Sequence, residues 1–292
     1  MTELQDTISL RFQGITEPVV LNGAEDLLPA IGSVFPGWPW RRLSRRSPKP
    51  AVITVTKEGN KFRRHSRWVE EPDLDDDPAD AMCDFVSDVL DAYIEEHPGT
   101  LGIHASAVRL GQGLIVFPST HRSGKSLLTT HLVSQGAVLF SDDVLLLPRL
   151  GTQGMSTGIA PRLRLPVPKE SGSTLPEFLA RSGMCANHRY GWVCLRPGEV
   201  ASLGDRAAIR AIVFLDVNDA SEEPQLETVP RSEGLARMVQ RGFSLDAKAG
   251  DVLECLSNVV GQAECFRLTY KAAGKAAAFL RNKFARSDGG SE

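Results

Sequence analysis

Apolar and polar positions alternate in short runs over the first part of the chain. Ile8 to Phe12, Val19 to Leu21, Ala51 to Thr56 and Phe62 to Trp68 each read as a β-strand. Between them lies FPGWPWRRLSRRSPKP, Phe35 to Pro50, rich in Pro and Arg, which reads as an exposed loop. Its Arg41, Arg42, Arg45 and Arg46 either grip an acidic partner or point into water. Glu70 to Asp77 is an acidic loop, and Asp77-Pro78 has the form of a helix N-cap followed by Pro at the first helical position. A helix is predicted from about Pro78 to Glu96. Met82, Phe85, Val86, Val89, Leu90, Tyr93 and Ile94 fall on one face at helical spacing, and His97-Pro98-Gly99 ends it.

A different pattern begins at Leu101. Leu101 to Leu110 and Leu114 to Phe117 predict two strands joined at Gly111-Gln112-Gly113. Ser126 to Gln135 predicts a helix with Gly136 just beyond its end, and Ala137 to Phe140 and Val144 to Leu147 predict two more strands. Ala208 to Val217 is a buried-type strand, Asp251 to Val260 a helix, Ala263 to Tyr270 a strand and Lys271 to Ala285 a last helix. Hairpins mixed with crossovers predict an α/β fold with a mixed sheet. The expected division is an α+β N-terminal region at 1–97 and a second domain at 98–292.

Composition narrows the class. Of 292 residues, 42% are apolar and 24% charged, as in an ordinary globular protein with a sizeable core. A formal net charge of -3 argues against a general nucleic-acid binder. The apolar runs are far shorter than the roughly 20 residues that span a bilayer. The start, MTELQDTISLRF, lacks the apolar stretch of a secretory signal. Five scattered Cys without a C-x-x-C fit a reducing compartment, so a cytoplasmic location is expected and a zinc site is not.

The candidate chemistry lies in GLIVFPSTHRSGKSLLTTHLVSQGAVLFSDDVLLLP, which starts at Gly113. Ser123-Gly124-Lys125-Ser126 sits between a strand and a helix, the order a phosphate-binding loop needs. There the Lys125 ammonium, backbone N–H groups and the helix dipole would meet phosphate oxygens, and the Ser126 hydroxyl is placed to ligate magnesium. The cofactor-binding stretch is read as Ser119, Thr120, His121, Arg122, Ser123, Gly124, Lys125, Ser126 and Leu127. Ser119 stands where G-x-x-x-x-G-K-[ST] has its first glycine, so either it takes a strained dihedral at a cost of about 1 kcal/mol or the loop is shaped differently.

Asp142-Asp143 closes the next apolar run, with sixteen residues between Lys125 and Asp142. One short helix and one short strand fill that gap, so the carboxylates can return beside the loop. Alternately, Ser-Asp-Asp is a polar turn between two strands. Side chains alternate along a strand, so both aspartates face one ligand only where the strand bends. Asp142 is assigned as base and Asp143 as the metal-side carboxylate, with the exchange of roles left open. His104, in the strand before the loop, is either structural or catalytic. Arg162 and Arg164 are candidate phosphate clamps or ordinary surface arginines.

His104, the loop from Ser119 to Ser126, the helix closed by Gly136, and Ser141-Asp142-Asp143 together resemble the catalytic domain of HPr kinase/phosphorylase. They look still more like HPr-kinase-related proteins, including tailoring kinases of peptide biosynthesis. The match covers Leu101 to Arg149 well and extends weakly through Arg162 to Pro166 and Ala208 to Val217, to Phe266-Arg267-Leu268. The resemblance implies a P-loop kinase core distantly like phosphoenolpyruvate carboxykinase. It also implies ATP or another nucleoside triphosphate, Mg2+, a hydroxyl acceptor on a protein, peptide or small molecule, and self-association. It implies that an Asp of the pair is the base, with the His near the transferred phosphate. The family's downstream Glu-x-x-Arg-Gly-type motif has no counterpart here. The expected function is a magnesium- and ATP-dependent kinase. The alternatives are a nucleotide-sensing module without turnover and a bifunctional kinase/phosphorylase.

Overall fold

The computed structural model describes residues 7–45, 47–69, 73–118, 123–169 and 174–285. The first half builds a six-stranded sheet in the order β3-β1-β2-β4-β5-β6. Its strands are β1 (Thr7–Phe12), β2 (Val19–Asn22), β3 (Trp40–Arg42), β4 (Ile53–Glu58), β5 (Lys61–Ser66) and β6 (Asp73–Asp75). Only β2 and β4 pair in parallel. Ile8, Leu10, Phe12, Leu21, Ile53 and Val55 come from alternate positions and form one apolar face. That face packs on α1 (Leu28–Val34) and α2 (Pro78–Glu96). Helix α2 starts where expected, because the Asp77 carboxylate accepts from the Ala79 and Asp80 N–H groups at 2.8 and 3.0 Å.

The Pro- and Arg-rich segment is not wholly an exposed loop. Phe35 and Trp38 are buried, the Trp38 indole N–H donates to the Gln13 carbonyl at 2.9 Å, and Trp40 to Arg42 pair with β1 as β3. Burying two large aromatic surfaces outweighs the turn signals of the neighbouring prolines. From Leu43 on, the described residues of the segment are mostly exposed, as read.

The second half forms a nine-stranded mixed sheet whose main path runs β11-β10-β7-β8-β15-β18-β16. The strands are β7 (Leu101–Leu110), β8 (Gly113–Pro118), β9 (Val138–Ser141), β10 (Val144–Leu147), β11 (Gln153–Met155), β15 (Arg206–Val217), β16 (Gln225–Thr228), β17 (Gly242–Phe243) and β18 (Glu264–Tyr270). A separate small sheet joins β12 (Arg162–Arg164), β13 (Met184–Ala186) and β14 (Tyr190–Val193). Strands β8, β15 and β18 run parallel. Strand β8 and the middle of β15, Ala211 to Phe214, are buried on both faces, which is why they read as continuous apolar runs, whereas β18 alternates through the half-buried Arg267 and Thr269. Ile115 and Phe117 face a core shared with α3 (Lys125–Ser134), α4 (Leu175–Ser182) and α7 (Ala273–Ala285). Leu114 and Val116 face the opposite core, shared with α5 (Arg231–Val239) and α6 (Ala249–Gln262). No helix among the described residues is long and apolar enough to cross a membrane. All five cysteines are free thiols.

Residues on both sides of position 97 share one core, since Val144, Leu146, Met155 and Trp192 cluster with Phe12, Phe85 and Tyr93. The Gly37 N–H donates to the Gly158 carbonyl at 2.9 Å. A Cβ at Gly158, where φ is +66°, would lie 2.3 Å from the Gly37 backbone, so only glycine permits that approach.

The N-terminal core also encloses an ion pair between Arg64 and Asp88, 3% and 5% exposed in their side chains. Burial pushes the Asp88 carboxyl above its ordinary range, against the pull of Arg64. Asp88→Ala, which leaves the guanidinium without its buried partner, is expected to cost about 3 kcal/mol in urea unfolding. The double change Arg64→Met/Asp88→Leu should recover most of that, and a single-variant loss below about 1 kcal/mol would show that the pair holds nothing together.

Candidate functional site

Strand β8 is buried along its whole length and ends at Pro118. Ser119, Thr120, His121 and Arg122 lie outside the described residues. The chain resumes at Ser123 and Gly124, and α3 begins at Lys125. Gly124 is the helix N-cap, with φ +82° in the left-handed region, and its carbonyl accepts the Leu128 N–H at 3.0 Å. A Cβ there would sit 2.9 Å from the Tyr270 hydroxyl oxygen, so both dihedral and space require glycine. Lys125 is only 8% exposed. The Ser123 hydroxyl oxygen is buried and has no hydrogen-bond partner. Leu127 packs, half-buried, against the core of α3 and α7, so its side chain serves packing.

Ser-Asp-Asp does not form a turn. Strands β9 and β10 lie in succession along β7, both antiparallel to it. The Ser141 hydroxyl donates to the Ala105 carbonyl at 3.0 Å, and the Ala105 N–H donates to the Asp143 carbonyl at 3.0 Å. Asp142-Asp143 is therefore an interruption within one edge path, and it sends the two side chains to different surroundings. Asp142 is 8% exposed, while Asp143 is exposed. One carboxylate oxygen of Asp142 accepts from the Ser126 hydroxyl at 2.9 Å and from the Arg162 N–H at 3.0 Å. The other lies 3.5 Å from the hydroxyls of Ser106 and Thr129. Ser106 also donates to the Asp142 carbonyl.

Burial is the main reason that the Asp142 carboxyl is pushed up to about 6, and the negative charge of Asp143 adds to it. The Arg162 N–H, the Ser126 hydroxyl and the Lys125 ammonium pull the other way.

His104 pairs with Val144 across β7 and β10, two residues before Ser106 and on the same strand face. It is exposed, its ring lies 4.9 Å from that of Phe243, and its backbone N–H donates to the Arg241 carbonyl at 2.9 Å. Arg162 reaches Asp142 through its backbone rather than its side chain. Its guanidinium lies 5.1 and 5.5 Å from the rings of Tyr190 and Trp192. Arg164 is exposed, 5.8 Å from the Tyr190 ring.

Ser106, Thr129 and Tyr270 belong to the site but were not singled out by the sequence. Ser106 carried a usable signal, since it follows His104 by two in a strand. Among the described residues no group of three or more His, Cys, Asp or Glu is arranged to hold a metal.

These elements define a mixed α/β protein with a helix N-terminus and a buried carboxylate brought together at one end of a sheet. A solved structure, that of the Hpr(Ser) kinase/phosphatase from Coxiella burnetii, is similar over 64% of this chain and 99% of its own, with 11% sequence identity and a TM-score of 0.33. That is a distant structural likeness. No family model matches the chain, and no curated protein matches it.

The raised Asp142 value carries a stability consequence. Its folded value of about 6 lies above the ordinary 3.8, so the folded state holds this proton more tightly. The resulting stability is complete below pH 4 and is lost as the pH rises through 6. In the absence of nucleotide and metal, Asp142→Asn should therefore stabilise the protein at pH 7.5, by at most about 3 kcal/mol. The gain should vanish at pH 4. An Asn variant less stable than wild type at pH 7.5 would show that Asp142 is not held at a cost.

Proposed function

We propose that this protein is a magnesium- and ATP-dependent phosphotransferase that moves a phosphoryl group to a hydroxyl on a protein, peptide or small molecule. The observation that carries this reading is the 2.9 Å hydrogen bond from Ser126, in the first turn of α3, to Asp142, sixteen residues on. It joins a candidate phosphate loop to a carboxylate pair, and phosphoryl transfer needs both.

The residues fit magnesium. The ion prefers hard oxygen ligands, takes one or two from a protein, and fills the rest with water and phosphate. The Ser126 hydroxyl and the Asp142 carboxylate offer two such oxygens side by side, so a larger acidic cluster is not needed. Bound there, the ion would neutralise charge on the phosphoryl group being transferred.

Lys125 and the first N–H groups of α3 hold phosphate oxygens, with Gly124 keeping the loop close to the helix axis. Asp142 is buried and already engaged with Ser126, which favours it as the metal-side carboxylate. Asp143 is exposed beside it, which favours it as the base that takes the proton of the acceptor hydroxyl. This is the exchanged form of the first assignment. His104, exposed on β7, orients the acceptor or the transferred group. Most of the catalytic effect is positioning and charge neutralisation.

Two sets of variants test the assignment. Lys125→Ala should abolish the thermal shift that ATP and magnesium produce in the wild type. Asp142→Asn should weaken magnesium-dependent nucleotide binding. Asp143→Asn should keep binding, while transfer to an acceptor, followed by mass, falls roughly 100-fold or more. The opposite pattern would return the base role to Asp142. Tight nucleotide binding by the wild type with neither transfer nor hydrolysis would make the protein a nucleotide-sensing module instead.

A further inference from the structure

We propose that the face of the N-terminal sheet turned away from α1 and α2 is a docking surface for an acidic peptide segment. Residues 43–45 and 47–51 border this face. They leave two grooves there, of about 420 and about 640 Å³, which share Ser9. The first is flanked by Arg42 and Arg45, and the second by Asn22, Lys49 and Thr54. Among the described residues no carboxylate lines either groove.

The charge around the grooves is one-sided. No Asp or Glu occurs between Asp26 and Glu58. Elsewhere on the same sheet, Lys57, Lys61, Arg63 and Arg67 each meet a carboxylate. Among the described residues, Arg11, Arg41, Arg42, Arg45 and Lys49 meet none. Arg11 and Arg41 stand directly opposite each other on β1 and β3, so they project from the same face. Like charges so placed repel. The Arg11 Nε is buried and has no hydrogen-bond partner, a further cost that an anion would remove.

A peptide fits this surface better than a single small anion. The two grooves adjoin at Ser9, and Arg42, Arg45 and Lys49 are spread along them rather than gathered at one point, with Arg11 and Arg41 on the neighbouring strands. An extended segment places alternate side chains on one side. Acidic residues at those positions would face the arginines, while hydroxyl and amide groups of Ser9, Asn22 and Thr54 serve its backbone. The net charge of -3 on the whole chain opposes a long polyanion more than a short acidic segment. This inference does not depend on the phosphoryl-transfer reading, and its test measures binding alone.

The probe is a fluorescein-labelled peptide of six Glu-Ser repeats, titrated with the full chain and followed by anisotropy. Binding is expected to weaken as salt is raised and to be absent for the matching Gln-Ser peptide. Arg41→Glu/Arg45→Glu, both at exposed positions, should weaken binding at least tenfold without changing the melting temperature. Arg231→Glu/Lys248→Glu makes the same charge change on the α5–α6 layer and should leave binding within twofold. No binding by the wild type would overturn the proposal. So would equal losses in the two double variants, or tighter binding of a twelve-residue oligothymidylate than of the Glu-Ser peptide.

Discussion

A carboxylate taken out of water must find donors within the protein, and Asp142 finds them on three separate segments. Ser126 brings the first turn of α3 and the Arg162 N–H the start of β12 to the carboxylate itself, and the Ser106 hydroxyl brings the middle of β7 by donating to the Asp142 carbonyl, 3.5 Å from the carboxylate. None of these segments is a sequence neighbour of Asp142. Each must be correctly placed for the carboxylate to be satisfied, so one buried group fixes the mutual position of helix, edge strand and small sheet. Thr129 strengthens the arrangement, because its hydroxyl donates to the Lys125 carbonyl at 3.0 Å and so braces the same helical turn. Arg162 extends it outward, since its guanidinium rests against Tyr190 and Trp192, and Trp192 belongs to the core shared with α2.

Strand β7 is the element on which these contacts converge. Its first half pairs with β10 on one edge and β17 on the other, and its second half pairs with β9 and β8. A strand bonded on both edges along its length is held in register, because a slip of one residue would turn every side chain to the wrong face. His104 and Ser106 inherit that rigidity. Strand β8 ends at Pro118, opposite Ala105, and the Ala105 N–H donates to the Asp143 carbonyl, so strand pairing alone brings the end of β8 beside the carboxylate pair.

Those parts of the fold that carry strong local signals were legible in the sequence. Helix α2 was readable to the residue, since Asp77 and Pro78 fix its start and His97 its end. The succession β8, α3, β9, β10 was readable because apolar runs of the right length alternate with Gly and Ser. The short elements β12, β13, β14, α4 and α5 were not. Each is nine residues long or fewer, too short for a pattern to stand out, and they form by docking Leu163, Phe178, Trp192 or Met238 into cores built by distant residues. Phe35 and Trp38 were hidden for the same reason, behind prolines that signal a loop. Within the site, the return of the carboxylates beside the first turn of α3 followed from spacing, while the bond of Ser126 to Asp142 in particular did not. The division of labour between Asp142 and Asp143 did not, because period-two alternation holds only in a regular strand and the path is interrupted there. Tyr270 lies far along the chain and meets Gly124 only through sheet order.

The two features with the clearest electrostatic cost are thus of opposite sign and lie in different halves of the chain. At Asp142 a carboxylate is buried beside a second carboxylate, and its proton is held up to about pH 6. On the N-terminal sheet, Arg11 and Arg41 face one another, and among the described residues neither meets a carboxylate. A fold selected for stability alone would remove both, by an Asn at 142 and by an acidic residue near Arg11. Local rules are broken where a structure answers to something besides folding. The sign of each violation says what would relieve it. The buried acid is relieved by a cation held with Ser126, and the opposed arginines by an anionic chain laid across them. The two costs are independent, since one is internal to the protein and the other is met at its surface.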